Sequence, residues 1–203
     1  MTGAYVGNGL VVYRESVQAP TDSARLANVL AALALGVTDA VEQLALETSG
    51  LDLVAATALV ALLDVAPHGS LQALSQAVGL SHSGTVRLVD RLVGAGLVTR
   101  QQGQDQRSRA VTLTKAGRRV ALAIRKQRQA AVLAVLDGLS EPRRAQLLRA
   151  CEQLVANLAR QRLAQRASGT PPVGGMLCRF CDFTDCGRAE GRCPAAGVAA
   201  TYG

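Results

Sequence analysis

Residues 70–96 read SLQALSQAVGLSHSGTVRLVDRLVGAG, two short stretches of helical periodicity that meet at Gly79 with almost no linker between them. Ser70 and Ser81 stand where each helix would need an N-cap. The following residues, LVTRQQGQDQRSRAVTLT, change period. An extended LVTR, a polar stretch holding Gly103 and Asp105, and an alternating RAVTLT together predict a β-hairpin. Two short helices on a tight turn followed by a basic hairpin describe a winged helix-turn-helix. The second helix of such a unit enters the major groove of DNA, and the hairpin reaches the backbone or minor groove.

Long helical patterns flank this unit. From Thr21 to Glu47 the apolar positions Ala27, Leu30, Ala34, Val37, Val41 and Leu44 step by three or four, as one helical stripe requires. Thr21 or Asp22 can cap its start. Gly50 interrupts, and LDLVAATALVALLDVAP continues as a shorter helix ending near Pro67, with His68 and Gly69 as turn residues. Beyond the hairpin come helices predicted over 115–137 and 141–166, the second opened by Ser140, Glu141 and Pro142. Its stripe is Leu147, Cys151, Leu154, Val155 and Leu158, so Cys151 is expected as a small buried apolar residue. Aromatic residues make up only 2% of a chain that is nearly half apolar, which also favours closely packed helices. The expected fold is mainly α with a small β-hairpin wing, framed by long N- and C-terminal helices.

The positive charge sits in the middle of the chain. Residues 1–86 carry a net −5, residues 87–128 a net +9, and the remainder +3. Such a segment suits a polyanion, because each phosphate neutralised releases condensed counterions. In SHSGTVRLVDRLVGAGL, turning Thr85, Leu88, Val89 and Leu92 toward the core leaves His82, Ser83, Val86 and Arg87 on the opposite face near the helix start. Arg87 can bond guanine bidentately, Ser83 can bond any base, and Val86 can touch a thymine methyl. Arg91, one turn on, suits phosphate. In the wing, Arg107 fits a narrow minor groove, Asp105 braces the turn and Arg109 meets phosphate.

Over residues 21–166 the sequence resembles the MarR transcriptional regulators, on SLQALSQAVGLSHSGTVRLVDRLVGAGLVTR followed by the wing DQRSRAVTLTKAGR, whose Asp105 and Arg107 fit that family's Asp-x-Arg signature. It departs from them at Val86, where members often carry Thr. The resemblance implies an obligate homodimer intertwined through the long helices 21–48 and 115–166. It also implies a DNA-binding lobe at about 70–114 that reads a pseudo-palindromic operator on double-stranded DNA. Members are usually repressors, and many release DNA when a small molecule, a metal or an oxidant acts near the dimer interface.

Four of the five cysteines fall within residues 178–193, spaced C-x2-C-x4-C-x6-C, with Pro194 next. Cys178, Cys181, Cys186 and Cys193 supply the four ligands that a closed Zn2+ site or a four-cysteine iron–sulfur cluster requires. A pair of redox disulfides and unemployed thiols are the other readings. Arg179, Arg188 and Arg192 would offset the thiolate charge. Phe180 and Phe183 are expected as the apolar cover of an appendage at 176–203 that needs metal to fold. SGTPPVGG, within 167–175, reads as the linker to it.

No Gly-rich phosphate loop, no G-x-S-x-G and no recognisable acid pair occur, so an enzyme is not expected. No run of eighteen apolar residues free of charge occurs, which predicts a cytoplasmic protein without a membrane partner. Residues 1–20 read as a flexible extension. The alternative function is a winged-helix module that binds protein and carries a structural zinc tail, separable from DNA binding by its lack of a salt dependence.

Overall fold

A computed structural model describes residues 21–67, 69–102, 109–170 and 174–201. The described order is α1 (Asp22–Ser49), α2 (Leu53–Asp64), α3 (Leu71–Val78), α4 (His82–Gly94), β1 (Val98–Gln102), β2 (Arg109–Leu113), α5 (Lys115–Val135), α6 (Glu141–Ala167), a 3-10 turn (Leu177–Phe180) and α7 (Pro194–Ala200). This is the mainly helical winged-helix arrangement. Two units divide the chain, the first ending at Gly36 and the second running from Val37, so α1 begins in one and ends in the other.

Short polar side chains set the helix starts. The hydroxyls of Thr21, Ser70, Ser81 and Thr114 and the carboxylate of Asp52 each accept a backbone N–H three residues on, satisfying a donor the helix itself leaves unpaired. Ser140 has the backbone conformation of a cap without its hydrogen bond, and Pro142 supplies the pre-set first turn. Gly79 closes α3 in the left-handed conformation, φ 76°, which only glycine adopts freely.

α2 is the core of the second unit. Every residue from Ala55 to Leu62 is buried, as expected of a helix apolar on all sides. One face packs with Leu74, Leu88, Val89, Leu92, Val98 and Val111 beneath the helix-turn-helix. The other packs Ala56 and Val60 with Ala45 and Ile124, and Phe180 leans against that cluster.

β1 and β2 pair antiparallel, Val98 opposite Leu113 and Gln102 opposite Arg109. The hairpin is tied at both flanks. Val111 N–H donates to Gly69 O at 3.0 Å, and the Thr114 hydroxyl donates to Gly96 O and Leu97 O. A Cβ at Gly117 would lie 1.8 Å from Leu97 O, so glycine lets α5 start directly against β1.

The long helices expose much of their apolar stripe in the single chain. Leu26, Val29, Leu33 and Leu35 of α1 are exposed, as are Leu147, Leu154 and Leu158 of α6. Cys151, expected buried, is exposed as well. Val37, Val41 and Leu44 of the α1 stripe and Val155 of the α6 stripe are half-buried, so the described residues cover the apolar face marked by the periodicity only in part. Among the described residues α1 is also long and apolar enough to cross a membrane, with a mean hydropathy of 1.6 over eighteen residues, although Asp39, Glu42 and Glu47 interrupt its second half.

Candidate nucleic-acid interface and cysteine site

The geometry of α4 follows from its cap and its four buried side chains. Ser81 fixes the first turn, and Thr85, Leu88, Val89 and Leu92 are buried, with the Thr85 hydroxyl donating back to Ser81 O. This orientation leaves His82, Ser83 and Arg87 exposed and Val86 half-buried beside them, the four residues expected on the outward face. Ser83 shares a hydrogen bond with Ser81 at 3.3 Å. Arg87 has no ion-pair partner among the described residues, and its guanidinium is available to an outside acceptor.

Arg91 is exposed, and its guanidinium pairs with Asp52 at 2.8 Å, the same carboxylate that caps α2, so it joins α4 to α2 on the surface. Arg100 of β1 pairs likewise with Asp90 of α4 at 2.7 Å. Asp105 and Arg107 lie outside the described residues. For Arg109 only the backbone is described, as the first residue of β2.

The cysteine segment is no separate appendage, contrary to the sequence-based expectation. Arg125 of α5 bridges two carboxylates, Asp64 of α2 at 2.8 Å and Asp182 of the segment at 2.9 Å. Asp64 also accepts the Phe183 N–H, and Gln129 donates to Asp185. Phe180 packs on the core of the second unit rather than covering the cysteines, with Arg128 over its ring at 5.7 Å. Phe183 lies under Arg188 at 4.9 Å. Further back, Met176 N–H donates to Ala77 O at 2.9 Å, and Arg162 donates to Gly175 O.

The fold brings Cys178, Cys181, Cys186 and Cys193 together around one cavity of about 430 Å³, whose wall includes Leu148, Cys151 and Val155 of α6. Cys193 is buried and the other three are partly so. Hydrogen bonding to Cys181 pulls the Cys178 thiol down to about 6, helped by the Arg188 charge and by Cys193 against the opposing effect of burial. The same hydrogen bond, with burial, pushes Cys181 up. Burial raises Cys186. Cys178 and Cys181 therefore titrate as a pair, which gives up its first proton more readily than an isolated thiol and its second less readily. Among the described residues no three His, Cys, Asp or Glu side chains are arranged to hold a metal ion.

Comparison with known proteins follows the winged helix. Residues 49–108 match the family model described as the MarR family. A MarR family protein from Bacillus stearothermophilus shares the fold with a TM-score of 0.59 and 25% identity, over 67% of this chain and 94% of that one. CouR from Rhodococcus jostii RHA1, solved bound to p-coumaroyl-CoA, gives 0.52 and 26%, over 65% and 92%. A mutant of S. aureus MepR bound to oligodeoxyribonucleotide gives 0.50 and 16%, over 66% and 97%. No curated protein matches the sequence. Residues 49–108 thus carry the MarR family's segment, within a chain that has the winged-helix fold of MarR-family transcriptional regulators and bears the cysteine segment after its last long helix.

Proposed function

We propose that this protein is a cytoplasmic repressor that binds a pseudo-palindromic operator on double-stranded DNA as a homodimer, each chain placing its α4 in one major groove. The observation that carries this reading is α4 itself. It is capped by Ser81, anchored by four buried side chains, and presents His82, Ser83, Val86 and Arg87 outward from its N-terminal half, Arg87 without an ion-pair partner among the described residues.

The dimer is supported by the apolar side chains of α1 and α6 that stand exposed among the described residues, Leu26, Val29, Leu33, Leu148, Leu154 and Leu158. Covering those side chains with a second copy removes them from water and accounts for α1's apolarity without a membrane. Two recognition helices would then address two half-sites about one helical turn apart. A small-molecule effector has a place to act: a cavity of about 840 Å³ with Leu163 and Leu177 on its apolar wall and Arg162 and Arg166 at its side, suited to an anion with an apolar body.

Selection from random-sequence DNA, followed by binding titrations at several salt concentrations, tests the reading. A dimer is expected to enrich an inverted repeat and to lose affinity steeply with salt. Arg87→Ala is expected to weaken the selected site by about 1–3 kcal/mol while relaxing specificity at one position of each half-site. Binding without salt dependence or sequence preference would leave the protein-binding alternative in its place.

A further inference from the structure

The chain leading into the cysteine segment holds the helix-turn-helix by its backbone. Ala77 lies in the last turn of α3, where helix carbonyls have no partner within the helix. Its carbonyl accepts the N–H of Met176 at 2.9 Å, so Gly175 and Met176 form a clasp on α3 at the turn into α4. A Cβ on Gly79 would sit 2.2 Å from Gly175 N, and one on Gly175 would sit 1.9 Å from Ala77 O. Two arginines hold the carbonyls of the clasp. Arg162 of α6 donates to Gly175 O, and Arg179 donates to Met176 O at 2.9 Å. Both are half-buried.

These guanidiniums belong to a cluster of positive charge without matching acids. Arg162 and Arg166 are one turn apart on α6, so their side chains are neighbours. Burial, and then the charges of Arg179 and Arg166, lower the Arg162 pKa below its ordinary value, as like charges held close together do. Among the described residues none of the three arginines has an ion-pair partner. Arg162 and Arg166 border the cavity of about 840 Å³, a size that takes a small organic molecule. Asp64, a carboxylate on its wall, is already held by Arg125 and by the Phe183 N–H. The carbonyl end of α6 offsets part of one charge, and the rest is left for a ligand. Arg188 also lines the cavity, but it lies over the Phe183 ring and beside Cys178. Leu163 and Leu177 form an apolar wall, and Ala195, Ala196 and Ala199 of α7 leave room by their small side chains. The wall given by the cysteine segment lies outside residues 49–108, which match the family model.

Guanidiniums take phosphates and carboxylates by paired N–H donors. Two adjacent charges with a third behind them suit an anion of more than one charge, which a phosphate monoester carries near neutral pH. We infer that the cavity between α6, the 3-10 turn and α7 binds a phosphate monoester with an apolar body, its phosphate on Arg162 and Arg166, and that occupancy secures the clasp on the α3–α4 turn. Arg162 reaches Gly175 O through one terminal nitrogen, so its other N–H groups can take a phosphate oxygen without letting go. The bound anion offsets the repulsion among Arg162, Arg166 and Arg179. Holding Arg162 in place holds Gly175, and Gly175 keeps Met176 on Ala77. The consequence for DNA rests on the effector reading above: with the turn held, α4 keeps the orientation that exposes Arg87, and affinity for the operator rises.

The test titrates 1-naphthyl phosphate into the full chain by calorimetry. 1-Naphthol, the body alone, and inorganic phosphate, the head alone, should each bind at least tenfold more weakly. A probe that does not bind, or that either fragment matches, overturns the site. Arg166→Gln should weaken the probe at least tenfold, while Arg149→Gln, at an exposed arginine elsewhere on α6, should leave it unchanged. Equal losses in the two variants would reduce binding to the overall charge of the chain and overturn the site. Ala196→Phe fills the apolar side and keeps both arginines, so it should also weaken the probe, and unchanged binding overturns the place given to the body. Hydrogen exchange at the Met176 amide should slow when the probe is bound, and an unchanged rate overturns the hold on the clasp. Operator affinity should rise at least threefold with the probe. Equal affinity with and without it overturns the effector reading of this cavity, while the site and the clasp, measured without DNA, stand on their own results.

Discussion

In the helix-turn-helix, each short helix starts on its own serine, ends near its own glycine and buries side chains spaced three or four apart. The cysteine segment has almost nothing of the kind. Its 3-10 turn is four residues long and lacks a side-chain cap, α7 is seven residues long, and its position depends on Ala77, Asp64, Arg125, Gln129 and Arg162. The first region is specified locally and could hold its shape without the second. The second takes its shape from the surface it lies on.

Deleting a shared support gives the largest effect. Leu92 is fully buried and packs in the core beneath the helix-turn-helix, so Leu92→Ala is expected to cost about 3 kcal/mol by lost transfer energy and the cavity left behind. In chemical denaturation of the metal-free protein both regions should then unfold together. Early loss of the segment alone would mean that its docking draws nothing from the core beneath it.

Asp64→Ala makes the complementary change. It removes one arm of the Arg125 bridge and the acceptor of the Phe183 N–H, leaving Arg125, 17% exposed, with Asp182 alone. The expected cost is about 2 kcal/mol, confined to the segment. Proteolysis should cut near the cysteines while the midpoint for the winged helix stays in place. A fall in that midpoint equal to the loss at the segment would erase the distinction between the regions.

These differences in support explain what could be read from the sequence. Ser70, Ser81, Gly79 and the change of period after Leu97 are local signals, so the winged helix, the buried face of α4 and the residues opposite it were legible. Cys151 was misread because a stripe tells which face is apolar, not whether the same chain covers it. Phe180 was misread for a related reason: its partners Val60 and Ile124 belong to α2 and α5, far away in sequence. Gly175 looked like one of several linker glycines, and only the approach of Ala77 O and Gly79 shows why no side chain fits there. Arg91 faced outward as expected, but its pairing with Asp52 joins residues from different helices and left no local trace.

A smaller change probes the locally specified region. Ser81→Ala removes the acceptor for the Gly84 N–H and should destabilise the winged helix by about 1 kcal/mol. Ser81→Asp should restore most of that, since a carboxylate caps as well as a hydroxyl and favours the helix N-terminus. Neither change should alter proteolysis at the cysteines beyond what the global loss produces. If Ser81→Ala frees the segment before it destabilises α4, the clasp on the α3–α4 turn depends on the cap as well as on Ala77.

The smallest expected effect is in the reactivity of one cysteine of the metal-free protein. Cys178 owes its lowered value of about 6 to Cys181, Arg188 and Cys193, all parts of the folded segment. As pH rises through 6 the Cys178 thiol becomes thiolate, so its alkylation rate should climb with a midpoint near 6 and level off before pH 8. The plateau rate of Cys178 will be modest, because a less basic thiolate is a weaker nucleophile, with rate following basicity by a slope of about 0.4–0.5. The shape of the profile therefore decides, and the rate at one pH does not. Adding Asp64→Ala should move the Cys178 midpoint toward the ordinary thiol range, because undocking carries it away from the partners that lower it. A midpoint that stays near 6 in that variant would mean that the cysteine segment keeps its own structure after release, and it would then share with the helix-turn-helix the local specification that now sets the two regions apart.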